Sequence, residues 1–155
     1  GDVYKRQILG TGPQVYAGIR QTLVRRYGLP LSLDGPDADY SLDDHRAAFA
    51  AFLTFLKPNL NAQTAIRVDA AWCSQAQALQ GFGAFALPDF ILRETELESG
   101  LDMLASAVGC EAPPMPAVTE DAPFALAEVY DDEIEALAAR AYQRDYMTFG
   151  FDRWR

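Results

Sequence analysis

Very little of this chain can be sheet. Phe90-Ile91-Leu92, after the Pro88-Asp89 turn, reads as a short buried strand, and residues 64–72 read as a second extended stretch. One or two strands cannot satisfy their own backbone edges, so a sheet built on them must take its other strands from outside this sequence. Five other segments carry apolar residues at helical spacing. The expected class is therefore mainly α with one or two short strands.

The helical segments have recognisable ends. Pro13 suits a first turn, and Val15, Ile19 and Leu23 then recur at helical spacing until Gly28 and Pro30. Asp34, Gly35, Pro36, Asp37 and Asp39 predict a polar loop. Ser41 is the expected cap of the next helix, and Asp43 and Asp44 suit the positive end of its dipole. Leu42, Phe49, Phe52, Leu53 and Leu56 fall on one face, and Pro58 is expected to end it. A short helix is predicted from Ser74 to Gln80, broken by Gly81 and Gly83. Thr95 and Glu98 have capping-box spacing ahead of Leu97, Leu101, Leu104 and Val108, with Gly109 as the stop. Residues 110–129, with Pro113, Pro114, Pro116 and Pro123, have no period and predict a stretch laid over a surface supplied by something else. A last helix is expected to begin near Asp131 or Asp132, the latter at capping-box spacing from Glu135, with apolar Ile134, Leu137, Ala138, Ala141, Tyr142, Tyr146 and Phe149, ended by Gly150.

Length and charge restrict function. The 155 residues suffice for one domain with a core. The net charge is −9, yet residues 1–30 hold Lys5, Arg6, Arg20, Arg25 and Arg26 against Asp2 alone, so the body beyond is strongly acidic. Such a body repels nucleic acid and anionic lipid, so neither is an expected partner, while a small local anion pocket stays possible. No apolar run approaches the roughly 20 residues of a membrane span. Cys73 and Cys110 make no disulfide framework, and a reducing, cytoplasmic setting is the expectation. Asp2 to Gln7, DVYKRQ, resembles the translation of a transposon-end sequencing adapter. Residues 1–7 are then expected to be a scar and 8–155 a single partial domain beginning mid-gene near Ile8; an unusual natural start is the alternative.

Few residues suggest chemistry. His45 is the single histidine and has no second histidine or cysteine pair at ligand spacing, so no metal site is expected and His45 reads as a helix-start residue near the surface. Cys73 with His45 would make a nucleophile and base, but free cysteine is more often a small core hydrophobe. Gly10-Thr11-Gly12 reads as a turn, since no Lys-Ser or Lys-Thr pair follows it. Trp72 to Gln75 and Arg93-Glu94 follow extended stretches, where α/β proteins place binding groups. The structural alternative is a core tryptophan and an ion pair.

Three segments, RVDAAWCSQAQALQGF, ALPDFILRETELESGLDMLASAVG and YDDEIEALAARAYQRDYMTFGF, together resemble the C-terminal half of the carbohydrate and nodulation-type sulfotransferases. A D-x-H-W-x-x-Q-like stretch of that family is matched by Asp69, Ala71, Trp72 and Gln75. A strand running into an acidic residue is matched by Phe90 to Arg93 and Glu94. The closing helix is matched by Tyr142, Asp145, Tyr146, Phe149, Gly150 and Phe151. The likeness covers residues 45–151 by order and spacing, and Ala71 stands where the family has histidine.

The resemblance implies the C-terminal part of an α/β P-loop-like sulfotransferase fold. The whole protein would transfer a sulfuryl group from 3′-phosphoadenosine 5′-phosphosulfate to a hydroxyl, in this reading that of a carbohydrate, in a bacterial cell. Trp72, Gln75, Arg93 and Glu94 become the candidate substrate-binding residues, with no metal and no general base assigned. The family's donor-gripping loop and its Arg and Ser have no counterpart here and would belong to a missing N-terminal half, so the lone chain is expected to be inactive. The rival reading is a small acidic helical protein-interaction module without enzymatic activity.

Overall fold

The computed structural model describes residues 17–115 and 123–154. Among them are seven α-helices: α1 (Ala17–Tyr27), α2 (Leu42–Leu60), α3 (Gln75–Gly83), α4 (Leu97–Val108), α5 (Leu126–Val129), α6 (Asp132–Ala141) and α7 (Gln143–Phe149). The molecule is mainly helical. Both expected strands are absent among the described residues, where the only bridge pairs Ser32 with Gly35. Residues 64–72 and Phe90 to Leu92 run as irregular chain, which is what apolar segments do when no neighbouring strand takes up their backbone groups. Gly10 to Gly12 and Pro13 to Val15 lie outside the described residues.

The chain divides into two compact units, one formed by Gly1–Ala78 with Glu120–Arg155 and one by Leu79–Thr119. In the first, α2 is the central element and packs against α1, α5 and α6. Its start follows the sequence: the Ser41 hydroxyl accepts from the Asp44 amide at 3.2 Å while Asp44 accepts from the Ser41 amide at 3.0 Å, a capping box. Phe52, Leu53, Phe55 and Leu56 are buried on its inner face with Leu23, Leu29, Trp72 and Ile134, whereas Leu42 is exposed at the first turn.

Pro58 does not end α2, which runs on to Leu60. A proline removes one ladder bond near the helix end, and what lies beyond compensates. Asn59 is fully buried; its amide nitrogen donates to Thr64 Oγ1 at 2.8 Å and to the Ile66 carbonyl at 2.7 Å, and its oxygen accepts from Trp72 Nε1 at 2.9 Å. One side chain thus ties the helix end to the irregular stretch after it. The Asn59 amide, the Ile66 carbonyl and the Trp72 indole are thereby satisfied without a sheet.

The last predicted helix is two. Of the two expected starts Asp131 is the cap of α6, accepting from the Glu133 and Ile134 amides at 3.0 and 2.9 Å. The helix breaks at Tyr142 (φ −104°, ψ 28°), and α7 resumes at Gln143. Arg46 of α2 reaches Asp131 and Glu133 at 2.5 and 2.6 Å, tying the two helices on their exposed side. Within the supposedly structureless 110–129, Leu126–Val129 forms the single turn α5.

α3 begins in the first unit and runs on through Gly81 to Gly83, and in the second unit the Thr95–Glu98 capping box does not form. A 3₁₀ turn, Glu94–Glu96, leads into α4, whose first residue follows Glu96 with no side-chain cap. Gly109 ends α4 in the left-handed region (φ 72°), as its position predicts. Leu92 lies over Gly100, so close that a Cβ there would stand 2.6 Å from its Cδ2.

Candidate functional site

The two sequence segments that open and close the family likeness meet in space. Asp145, at the start of α7, is 3 % exposed and accepts three hydrogen bonds: from Ser74 Oγ at 2.5 Å and from the Gln75 and Ala76 amides at 2.9 Å each. A helix begins with amides that have no intrahelical partner and with the positive end of its dipole. Asp145 supplies the missing acceptor and a negative charge from 70 residues away. Three residues earlier, Tyr142 donates its hydroxyl to the Trp72 carbonyl at 3.1 Å. Burial, reinforced by the charges of Asp145 and Cys73, pushes the Tyr142 phenol up to about 12. It stays a donor at any physiological pH.

Trp72 is 3 % exposed, sits edge-on to Phe52 with ring centroids 6.1 Å apart, and spends its indole N–H on Asn59. The side chain of Gln75 is exposed, while its amide is held by Asp145. Arg93 and Glu94 belong to the other unit, where both are exposed and the Arg93 carbonyl accepts from the Glu96 amide at 2.9 Å. Of the four candidate substrate-binding residues, Trp72 and Gln75 therefore share one junction and Arg93 and Glu94 open α4's approach in a separate unit.

His45 is not at the surface. It is 3 % exposed, with Nδ1 3.2 Å from the Tyr40 hydroxyl and its ring 5.5 Å from that of Phe124. Cys73 donates its thiol to the Ala70 carbonyl at 3.3 Å. Each residue has its own local partners.

A second buried cluster had no sequence signal. Glu135 is 4 % exposed and accepts from Tyr130 at 2.5 Å and Tyr146 at 3.0 Å, so α6 and α7 are joined through one carboxylate. Burial, followed by the bond to Glu135, raises the titration of both phenols. The spacing of Tyr130, Glu135 and Tyr146 follows no motif, and the three residues come from the end of α5, from α6 and from α7.

No family model matches this chain, nor does any curated protein or solved structure. Its chemistry is thus read from its own residues. Among the described residues no group of three or more His, Cys, Asp or Glu side chains is placed to hold a metal ion. No described helix is long and apolar enough to cross a membrane. The α3 amides, the natural anion seat of the junction, are already taken by the Asp145 carboxylate. One cation stands out. Arg20 of α1 is 4 % exposed, and its Nε and Nη1 have no hydrogen-bond partner among the described residues.

Proposed function

We propose that this chain is the acceptor-side and C-terminal packing part of a sulfotransferase-like domain. Within that domain a sulfuryl group passes from 3′-phosphoadenosine 5′-phosphosulfate to a carbohydrate hydroxyl. The observation that carries the reading is the junction itself. Trp72 to Ala76 and Tyr142 to Asp145, the segments on which the likeness rests, are bonded to each other through Asp145 and Tyr142. The unpaired apolar run Phe90 to Leu92 agrees with a sheet edge completed by other chain, since Phe90 and Ile91 are each 58 % exposed. The donor's phosphates, the in-line geometry and the base that takes the hydroxyl proton belong to residues outside those described. The chain alone has no activity on this reading.

A second reading, an acidic helical interaction module, is favoured by one observation. The second unit exposes Phe82, Phe85, Leu87, Phe90 and Ile91 in succession, with Phe85 94 % exposed. Large apolar side chains gathered in this way mark surfaces that are covered in the working state.

The test begins with the reading frame upstream of the Ile8 codon. The protein it encodes is expressed whole and assayed for transfer of ³⁵S from labelled donor to a panel of oligosaccharides, with the 155-residue chain beside it. Transfer by the whole protein and none by the chain supports the sulfotransferase reading. A whole protein that neither binds donor nor transfers sulfur overturns it in favour of the interaction module.

A further inference from the structure

A cavity of about 260 Å³ opens next to the Asp145 junction, wholly within the first unit. Its hydroxyls are committed elsewhere, since Ser74 donates to Asp145 and Tyr142 to the Trp72 carbonyl. The open polar groups are two guanidiniums, Arg140 and Arg144, and three side-chain amides, Asn61, Gln77 and Gln143. The Asn61 amide nitrogen donates to the Lys57 carbonyl at 2.8 Å, which leaves its oxygen available. The Asp145 carboxylate, bonded to the lining residue Ser74, is engaged in capping α3. Neither cavity arginine has an ion-pair partner among the described residues. Two cations four residues apart in a chain of net charge −9 line a single opening.

We infer that this cavity binds a small anion that also carries hydroxyl groups, a sugar acid or a sugar phosphate. Guanidinium forks select planar or tetrahedral oxyanions and form the stronger, charge-assisted hydrogen bonds. Side-chain amides both donate and accept, which is what hydroxyl groups require. Leu60, Ala141 and Met147 give one wall an apolar surface for the C–H face of a ring. The volume, about 260 Å³, is below the roughly 300–1,000 Å³ of drug-sized sites and suits a single sugar ring. Arg140, in the last turn of α6, and Arg144, in the first turn of α7, both line the cavity. The inference is independent of sulfuryl transfer and needs no donor.

The full chain, ¹⁵N-labelled, is titrated with glucuronate, glucose 6-phosphate, glucose and inorganic phosphate. Shifts are read at the side-chain amides of Asn61, Gln77 and Gln143. At least one sugar anion is expected to saturate with a dissociation constant near or below ~1 mM, with glucose and inorganic phosphate about tenfold weaker. The tighter of the two anions identifies the carboxylate or the phosphate as the natural group. Arg140→Gln with Arg144→Gln weakens binding about tenfold or more, at unchanged circular dichroism. Gln77→Leu, which leaves the charge intact, removes the preference over inorganic phosphate. Arg25→Gln with Arg26→Gln removes the same charge from α1 and changes nothing. The inference is overturned if inorganic phosphate binds as tightly as the sugar phosphate, if glucose matches the anions, or if the α1 pair weakens binding equally. No saturable shift by ~10 mM also overturns it. A thermal-shift titration at micromolar protein repeats the comparison under dilute conditions.

Discussion

Asp145 shows how one side chain can carry the tie between distant segments. It is buried, and each of its three donors, Ser74 Oγ and the Gln75 and Ala76 amides, would be left without an acceptor if it were removed. Leaving buried donors unsatisfied costs more than the bond itself is worth. Asp145→Ala is expected to lower stability by roughly 2–3 kcal/mol, and Asp145→Asn by less, because one oxygen remains. Urea unfolding followed by tryptophan fluorescence reads both; a loss below ~0.5 kcal/mol for the alanine variant would mean that α3 is capped some other way. Arg20 argues in the opposite direction. Two buried guanidinium nitrogens without an acceptor among the described residues carry a desolvation cost that no hydrogen bond there returns. Arg20→Met, of similar length and without charge, is expected to raise stability by about 1–4 kcal/mol in the same unfolding assay. A loss instead would show that an acceptor reaches Arg20 from residues outside those described.

At the scale of elements, the helix starts divide into those that a sequence announces and those that it cannot. Ser41 and Asp44 cap each other across three residues, so the start of α2 is visible in the sequence. α3 has no local cap of comparable strength and takes its own from α7. The pH dependence follows from the first kind. The Ser41 hydroxyl, and then its amide, hold Asp44 below the usual carboxylate range; the Ile134 amide, followed by Arg46, does the same for Asp131. A carboxyl depressed in the folded state adds stability that is present above its unfolded value, near 3.9, and is lost as pH falls through the folded one. Ser41→Ala is therefore expected to cost about 1 kcal/mol at neutral pH. The gap between variant and wild type should narrow as pH is taken from about 4 downward, where protonation removes the partner of the lost hydroxyl. Acid titrations of the two proteins, followed by circular dichroism, give the comparison; a gap that stays constant to pH ~2 would separate the cap from Asp44.

The whole molecule puts its stable packing in one unit and its exposed apolar chain in the other. α2, with Phe52, Phe55 and Leu56 buried among Leu23, Trp72 and Ile134, is the centre of the first unit. Phe82, Phe85 and Leu87 of the second lie open to solvent. Both proposed readings turn on what covers that second surface. Helical periodicity and capping were legible because they depend on neighbours three and four residues away. That is how α1, α2 and α4 could be placed and the mainly helical class reached from the sequence. Pro58 misled, because the bonds that carry α2 past it come from Thr64, Ile66 and Trp72 through Asn59. The Tyr142 break was hidden for a similar reason: apolar spacing continues across it, while the bonds of Tyr142 to Trp72 and of Asp145 to α3 hold the two halves apart. Trp72 and Gln75 could be singled out by their spacing, but not the partners that fix them. The sequence by itself determined α2 with its Ser41 cap, the Gly109 stop of α4 and the acidic body. Only the tertiary structure decided the junction at Asp145, the Glu135 cluster and the cavity between Arg140 and Arg144, because each is made by side chains from separate elements, a meeting the local pattern does not record.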